Sequence, residues 1–277
     1  MKNKVTILVP FTRLWRLDAM IGQLSYLNVN NLDVNAIFIV DNKMISVDAI
    51  HNAWKRWKCT MPLIYVHNTG KKGEAEARVQ PRRQRIADVM EIAKKFIPED
   101  RDYVFVLEDD TDIRKDALLN LVNDFDLLKN AMKRQGYAEK VDAPQIKVGL
   151  VSGIQVGRWG FKMIGAWRCD NPNDPRLLET IPFTRKYLIE RIDAAGFYCF
   201  LTTRKLFMEA KFEANYFGPD VNFGLELRRK GYQNFIDWTV IAGHVMKHIT
   251  MLPDESCVVV EYTNGSGDPM GWKRTKP

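Results

Sequence analysis

Short apolar runs alternate with helix-period stripes through the first half of the chain. Val5–Val9, Ala36–Val40, Leu63–Val66 and Tyr103–Leu107 are brief, β-branched or aromatic, and apolar at nearly every position. A strand with no alternating polar face is covered on both sides, so these runs predict strands inside a sheet with helices above and below. Between them, apolar residues recur at three- and four-residue spacing. Leu14, Leu17, Ile21, Leu24 and Leu27 form one stripe and Val47, Ile50, Trp54 and Trp57 a second. Ile86, Val89, Met90, Ala93 and Phe96 form a third; Leu118, Val122, Phe125 and Met132 form a fourth. Each set falls on one face of an α-helix. The resulting order predicts an α/β fold with a mostly parallel sheet and right-handed crossovers.

The second half is less regular. Val148–Ile154, Phe197–Thr203 and Asn234–Ala242 read as strands, Asp220–Lys230 as a helix stopped by Gly231, and the polar stretch Cys169–Arg185 as a loop. No linker divides the chain. The expectation is one domain over residues 1–264, with a nucleotide-binding half over about 1–112, an acceptor half over about 113–264 and a mobile tail at 265–277.

Composition adds two constraints. Hydrophobic residues at 46% and charged residues at 27% exclude a disordered chain or a collagen-like repeat. Lys and Arg number 41 against 34 Asp and Glu, a formal charge of +7 that favours anionic partners without choosing among them. Cys59, Cys169, Cys199 and Cys257 stand far apart with no CxxC pair, which fits reduced thiols in a cytoplasmic protein. The apolar run Val5–Phe11 is too short for a signal peptide, and no stretch suggests a transmembrane anchor.

The strongest chemical signal directly follows the fourth predicted strand. Glu108-Asp109-Asp110-Thr111-Asp112 places four carboxylates within five residues. Such a group repels itself and calls for a cation, and hard divalent ions such as Mn²⁺ or Mg²⁺ take carboxylate oxygens and bridge to phosphates. In open α/β sheets ligands lie beyond the carboxyl ends of strands, where this cluster falls. The competing reading is a helix cap by Thr111 or Asp112, which would need only one such residue.

This strand–EDDTD–helix pattern resembles the DxD region of the GT-A glycosyltransferases, particularly the family 2 type. Three further segments match that family in order. Ile37-Phe38-Ile39-Val40-Asp41-Asn42 resembles its strand ending in VDDGS; Gly196-Phe197-Tyr198-Cys199-Phe200 with Arg204-Lys205 resembles its G…RR strand; Phe217-Gly218-Pro219-Asp220-Val221-Asn222-Phe223 with Gly231-Tyr232 resembles its ED motif. Together they span most of residues 5–245. The resemblance implies a Rossmann-like GT-A sheet flanked by helices, with a smaller mixed acceptor-side region. It also implies a metal-dependent hexosyl- or pentosyltransferase using a nucleotide-diphosphate sugar, a UDP-sugar by the Asp41 match, with inversion at the sugar.

The resemblance assigns roles residue by residue. Asp220 is the base that takes the acceptor's proton, although it also stands where a helix cap would. Glu108, Asp110 and Asp112 are the metal-side candidates, with His244 at a position where many GT-A enzymes supply a histidine ligand; a lone histidine is as readily a packed residue. Asp41 would accept from the nucleotide base or merely form a turn. Pro10 and Thr12 would wall the nucleotide site, with Asp109 beside them. Lys71–Arg85 holds six basic and two acidic residues, and Arg83 or Arg85 could face the diphosphate; the alternative is a solvated helix face. Pro219 replaces the family's glutamate and Glu108 its first aspartate.

Rival classes fare worse. A nucleotidyltransferase would carry a glycine-rich loop where Pro10-Phe11-Thr12-Arg13 stands, and Asp110-Thr111-Asp112-Ile113-Arg114 fails the haloacid phosphatase pattern at its last position. A non-catalytic nucleic-acid- or glycan-binding protein on the same fold would not need both the acidic cluster and Asp220. The acceptor is open: a glycan, or a hydroxylated DNA base as in phage-type DNA glycosyltransferases. Trp159, Trp167 and the Cys169–Arg185 loop are acceptor-side candidates by position.

Overall fold

The computed structural model describes residues 2–67, 79–138, 147–155, 163–174, 177–183, 188–215, 217–246, 249–251, 257–261 and 271–275. Four strands lead: β1 (Asn3–Phe11), β2 (Leu32–Val40), β3 (Leu63–His67) and β4 (Tyr103–Leu107). β1 pairs in parallel with both β2 and β4, and β2 with β3. The helices between them are α1 (Leu17–Ser25), α2 (Val47–Arg56) and α3 (Val79–Lys94). Ser46 caps α2 by accepting the N–H of Ala49 at 3.1 Å.

Alternate residues of the strands feed two cores. Val5, Ile7, Val9 and Phe11 of β1 face α1, α2 and α4 (Ala117–Ala138), against Leu24, Ile50, Leu121 and Phe125. Leu8 of β1 joins Ile37, Ile39, Val104 and Val106 on the opposite face, against Ala87, Met90 and Ala93 of α3. Burial on both faces explains the unbroken apolar runs in these strands.

Past β4 the chain makes the short strand β5 (Thr111–Ile113), then α4 and β6 (Lys147–Gln155). A small three-stranded sheet follows, with β7 (Met163–Arg168) between β8 (Glu179–Pro182) and β10 (Ala194–Ala195), all antiparallel; β9 (Ile189–Ile192) lies between β8 and β10 in sequence. The segment expected to be a loop over Cys169–Arg185 therefore contains a strand, β8. The chain returns through β11 (Cys199–Thr203), α5 (Arg204–Glu209), α6 (Pro219–Arg229) and the long β12 (Tyr232–Met246). Gly231, at φ +82°, ends α6 in the left-handed conformation that glycine adopts without strain.

The main sheet runs β12-β6-β11-β4-β1-β2-β3, with β11 antiparallel to both its neighbours and β12 parallel to β6. Beyond β12 it continues through β13 (Ile249–Met251), β14 (Cys257–Glu261) and β15 (Gly271–Thr275). The expected tail thus contributes β15, paired with β14. The fold is an α/β sheet, parallel in its first half, with helices on both faces and a small antiparallel sheet beside it. No described helix is long and apolar enough to cross a membrane.

Candidate active site

The acidic segment is a turn between two strands. Thr111 donates its N–H to the Glu108 carbonyl at 3.1 Å, and Glu108 donates its own to the Tyr198 carbonyl at 3.2 Å. After the turn, β5 pairs antiparallel with β12, with His244 opposite Thr111, and Val245 donates its N–H to the Asp110 carbonyl at 2.8 Å. This pairing brings His244 to the cluster: its Nε2 lies 3.5 Å from Asp110 Oδ2. Both residues are buried, at 7% and 2% exposure.

The segment after β1 closes over the same turn. Asp109 accepts from Thr12 N at 2.6 Å, Thr12 Oγ1 at 3.1 Å, Arg13 N at 2.9 Å and the Arg13 guanidinium. Arg13 Nη2 also donates to Asp110 Oδ2 at 2.8 Å. Arg16 donates Nη2 to Asp112 Oδ1 at 2.6 Å and Nε to the Asp109 carbonyl at 3.0 Å. Gln23 brackets β5, donating to the Thr111 carbonyl at 3.2 Å and accepting from Ile113 N at 2.8 Å. Gln155 donates to Thr111 Oγ1 at 2.8 Å. Two arginines therefore answer the electrostatic demand of the acidic turn from within the chain.

The sequence reading did not single out either arginine. The available signal was two arginines three residues apart immediately after the strand that neighbours β4. Burial works against the charge on Arg13, but Asp110, Asp109 and Glu108 outweigh it and raise its pKa. Burial pushes Asp109 above the usual carboxylate range and Asp110 adds to this, while Arg13 and the two backbone N–H groups pull the other way.

Asp41 lies at the end of β2, its N–H on the Phe11 carbonyl at 2.9 Å and its carboxylate on Arg85 Nε at 2.9 Å. Of the two arginines considered for the diphosphate, Arg85 is the one engaged with Asp41; Arg83 is half-buried two residues earlier on α3. Asn42 ties the loops after β1 and β2 together, donating to the Thr12 carbonyl at 2.7 Å and accepting from Met44 N at 2.8 Å. Pro10 is half-buried in β1 opposite Ile39. Residues 71–78 of the basic run and Trp159 lie outside the described residues.

Asp220 sits in the first turn of α6, after a helix start made by Gly218 and Pro219. Gly218 holds the cap position, and the Asp220 carboxylate folds back over it, its Oδ1 where a Cβ on Gly218 would clash. A Cβ on Gly196 would stand 3.6 Å from Asp220 Oδ2 and 2.8 Å from the Tyr198 ring. Asp220 Oδ2 thus lies near Gly196, and the Tyr198 carbonyl accepts the Glu108 N–H. Burial, with a smaller contribution from Asp220, raises the Tyr198 phenol, which donates to the Gly153 carbonyl at 3.1 Å. A Cβ on Gly165 would meet the same ring at 2.7 Å, so two glycines make the slot it fills.

The helix is fixed from behind. Asn234 of β12 donates to the carbonyls of Asp193 at 2.8 Å and Gly224 at 2.9 Å, and Arg228 pairs with Asp193. A Cβ at Gly224 would come within 2.7 Å of Ala194 Cα, so glycine sets how closely α6 approaches β10. Trp167 packs beside Cys169, Ala194, Val221 and Leu225 under this helix.

For a metal, the arrangement supplies a pair of donors. Asp110 and His244 present a carboxylate oxygen and an imidazole nitrogen at one point, a combination suited to Mn²⁺. Among the described residues no three His, Cys, Asp or Glu side chains converge as a metal set. Asp112 is turned to Arg16.

No protein-family model and no curated protein sequence matches the chain. Solved structures do. The structure of GalNAc-T7 with UDP, GalNAc and Mn²⁺ overlays with a TM-score of 0.58 at 12% identity, covering 89% of this chain and 44% of that one. The mannosyltransferase PcManGT from Pyrobaculum calidifontis, in complex with GDP-Man and Mn²⁺, gives 0.48 at 16% identity, covering 84% and 54%. A197 from STIV gives 0.48 at 12% identity, covering 96% and 98%. The chain spans about half the length of the first two. The GalNAc-T7 overlay shows a GT-A-like fold.

Proposed function

We propose that this chain is a metal-dependent glycosyltransferase that moves a sugar from a nucleotide-diphosphate donor, a UDP-sugar, to an acceptor hydroxyl with inversion. The observation that carries this reading is the acidic turn at the carboxyl end of β4, where His244 Nε2 lies 3.5 Å from Asp110 Oδ2 and Glu108 donates its N–H to the Tyr198 carbonyl. GalNAc-T7 and the mannosyltransferase bind nucleotides or nucleotide sugars with Mn²⁺, which supports the same ligand class here.

Each residue then has a task. Asp220 accepts the proton of the attacking hydroxyl, held by a helix that Asn234 and the Arg228–Asp193 pair keep in place. Asp110 and His244 would hold Mn²⁺ or Mg²⁺, with Glu108 at the rim; the ion supplies charge neutralisation for the departing diphosphate. Asp112, paired with Arg16, serves the turn rather than the ion. Asp109 anchors the loop after β1, placing Pro10 and Thr12 along the nucleotide. Asp41, oriented by Arg85, faces the base.

A panel of nucleotide sugars with Mn²⁺, read by release of the nucleoside diphosphate, identifies the donor. Asp220→Asn should then lower turnover by about 10²–10⁴-fold, the usual worth of a general base. Donor affinity by calorimetry should stay within about twofold of wild type, since uniform binding is untouched. Undiminished turnover in that variant rules out Asp220 as the base.

A further inference from the structure

Arg13 holds two carboxylates at once, and the two are not equivalent. Asp109 Oδ2 accepts from Thr12 N, Thr12 Oγ1 and Arg13 N, which leaves Oδ1 to the guanidinium. Arg13 Nη1 adds a further contact there, while Nη2 reaches Asp110 Oδ2 at 2.8 Å. That same oxygen is the one 3.5 Å from His244 Nε2. The Arg13 side chain remains 28% exposed, whereas both carboxylates are 3% exposed. The guanidinium is therefore partly open to solvent while the carboxylates it holds are not. A cation between Asp110 and His244 would meet a guanidinium donor on Oδ2, one of the two Asp110 oxygens, with like charge facing like charge.

We propose that Arg13 is a diphosphate-binding residue that exchanges partners on loading. With the site empty of donor, Nη2 neutralises Asp110; when metal and donor enter, Nη2 leaves Asp110 and donates to the donor's phosphate oxygens while Nη1 stays on Asp109. The inference rests on the proposed reading of Asp110 and His244 as the metal side. It deepens that reading by naming the counter-charge that serves both states.

The charges support the exchange. Arg16 is committed to Asp112, which leaves Glu108, Asp109 and Asp110 acting on Arg13. Several carboxylates face this one guanidinium, which favours a further cation once the arginine has another anion to hold. A guanidinium offers five donors in a flat fork, so one edge can keep Asp109 while another takes phosphate. The two ligands must then help each other. A divalent ion alone competes with Arg13 for Asp110, and a nucleoside diphosphate alone must draw Arg13 off a carboxylate. Together, each removes the obstacle to the other, so their binding is reciprocally coupled.

The test uses the full chain with Mn²⁺, followed by the paramagnetic resonance of the free ion, and with UDP, followed by calorimetry. In wild type, UDP should tighten Mn²⁺ binding by about tenfold or more, within the usual span of coupling between sites. In Arg13→Gln, Mn²⁺ alone should bind about tenfold tighter than to wild type, UDP with Mn²⁺ about tenfold weaker, and the coupling should shrink towards unity. Arg13→Lys keeps the charge but loses the fork, so it should fall between the two on both measurements and carries the test if Arg13→Gln does not fold. Mn²⁺ binding that is unchanged or weaker in Arg13→Gln, with the coupling intact, overturns the proposal. Mn²⁺ binding that survives in both Asp110→Asn and His244→Ala overturns the metal reading beneath it instead, so the two failures are distinguishable.

Discussion

At the turn after β4, carboxylates gather around arginines; where α4 meets β12, two carboxylates meet each other. Asp124 of α4 lies against Asp237 of β12, whose Oδ1 accepts from Thr239 N at 2.7 Å and Thr239 Oγ1 at 2.8 Å. Burial, and after it Asp237, pushes Asp124 up to about 7, so a shared proton does there what Arg13 and Arg16 do at the turn. A third carboxylate, Asp126, is served by neutral donors, Tyr103 OH at 2.6 Å and Asn3 Nδ2 at 2.9 Å. The difference is instructive. A proton or a hydroxyl settles a carboxylate into the scaffold, while a guanidinium opposes the cost of burying its charge.

Three changes test that contrast. The largest effect belongs to Arg16, 4% exposed against a fully buried Asp112. Arg16→Met should cost about 3–5 kcal/mol in urea unfolding, because it strands a buried charge. The double change Arg16→Met with Asp112→Leu should recover most of that loss. A double variant as unstable as the single one would show that the Arg16 contact to the Asp109 carbonyl matters more than the ion pair.

Next is Tyr103→Phe, which removes a donor from Asp126 and should cost about 1.5–3 kcal/mol, the range for hydrogen bonds to charged groups. The smallest effect is a gain. A carboxyl whose folded pKa is raised from about 4 to about 7 contributes stability present at low pH and lost as pH rises through that window. Asp124→Asn removes the need to ionise, so its melting temperature at pH 8 should exceed wild type by about 2–4 °C. At pH 4 the difference should vanish or reverse, and a pH-independent difference would remove the shared proton from the account.

How much of this could be read in advance depends on the range of each interaction. The four leading strands were legible because burial on both faces writes itself into consecutive residues. β8 and β9 were not, since Glu179, Glu190 and Arg191 interrupt strands of four residues each. The acidic turn is a local cluster and was visible at once. Its arginines were not, because Arg16 lies 96 residues from Asp112 in sequence and meets it only because β1 and β4 are neighbours in the sheet. His244 was legible only through resemblance; its approach to Asp110 depends on the pairing of β5 with β12, two strands separated by most of the second half.

β12 links the two ends of the candidate site. Asn234 near its start holds α6, and His244 near its end faces the acidic turn, with the register against β6 already shifted between Gln233 and Phe235 and between Ile236 and Ile241. Successive side chains on a strand point to opposite faces. Inserting or deleting one residue between Asn234 and His244 would rotate Gly243 or Val245 into the histidine's place, unless a further bulge absorbed it. A change of two would return the histidine to the same face but move it about 7 Å along the strand. The stretch between Asn234 and His244 is therefore constrained in both parity and length: an odd step turns the histidine to the other face of the sheet, and an even step slides it past the acidic turn.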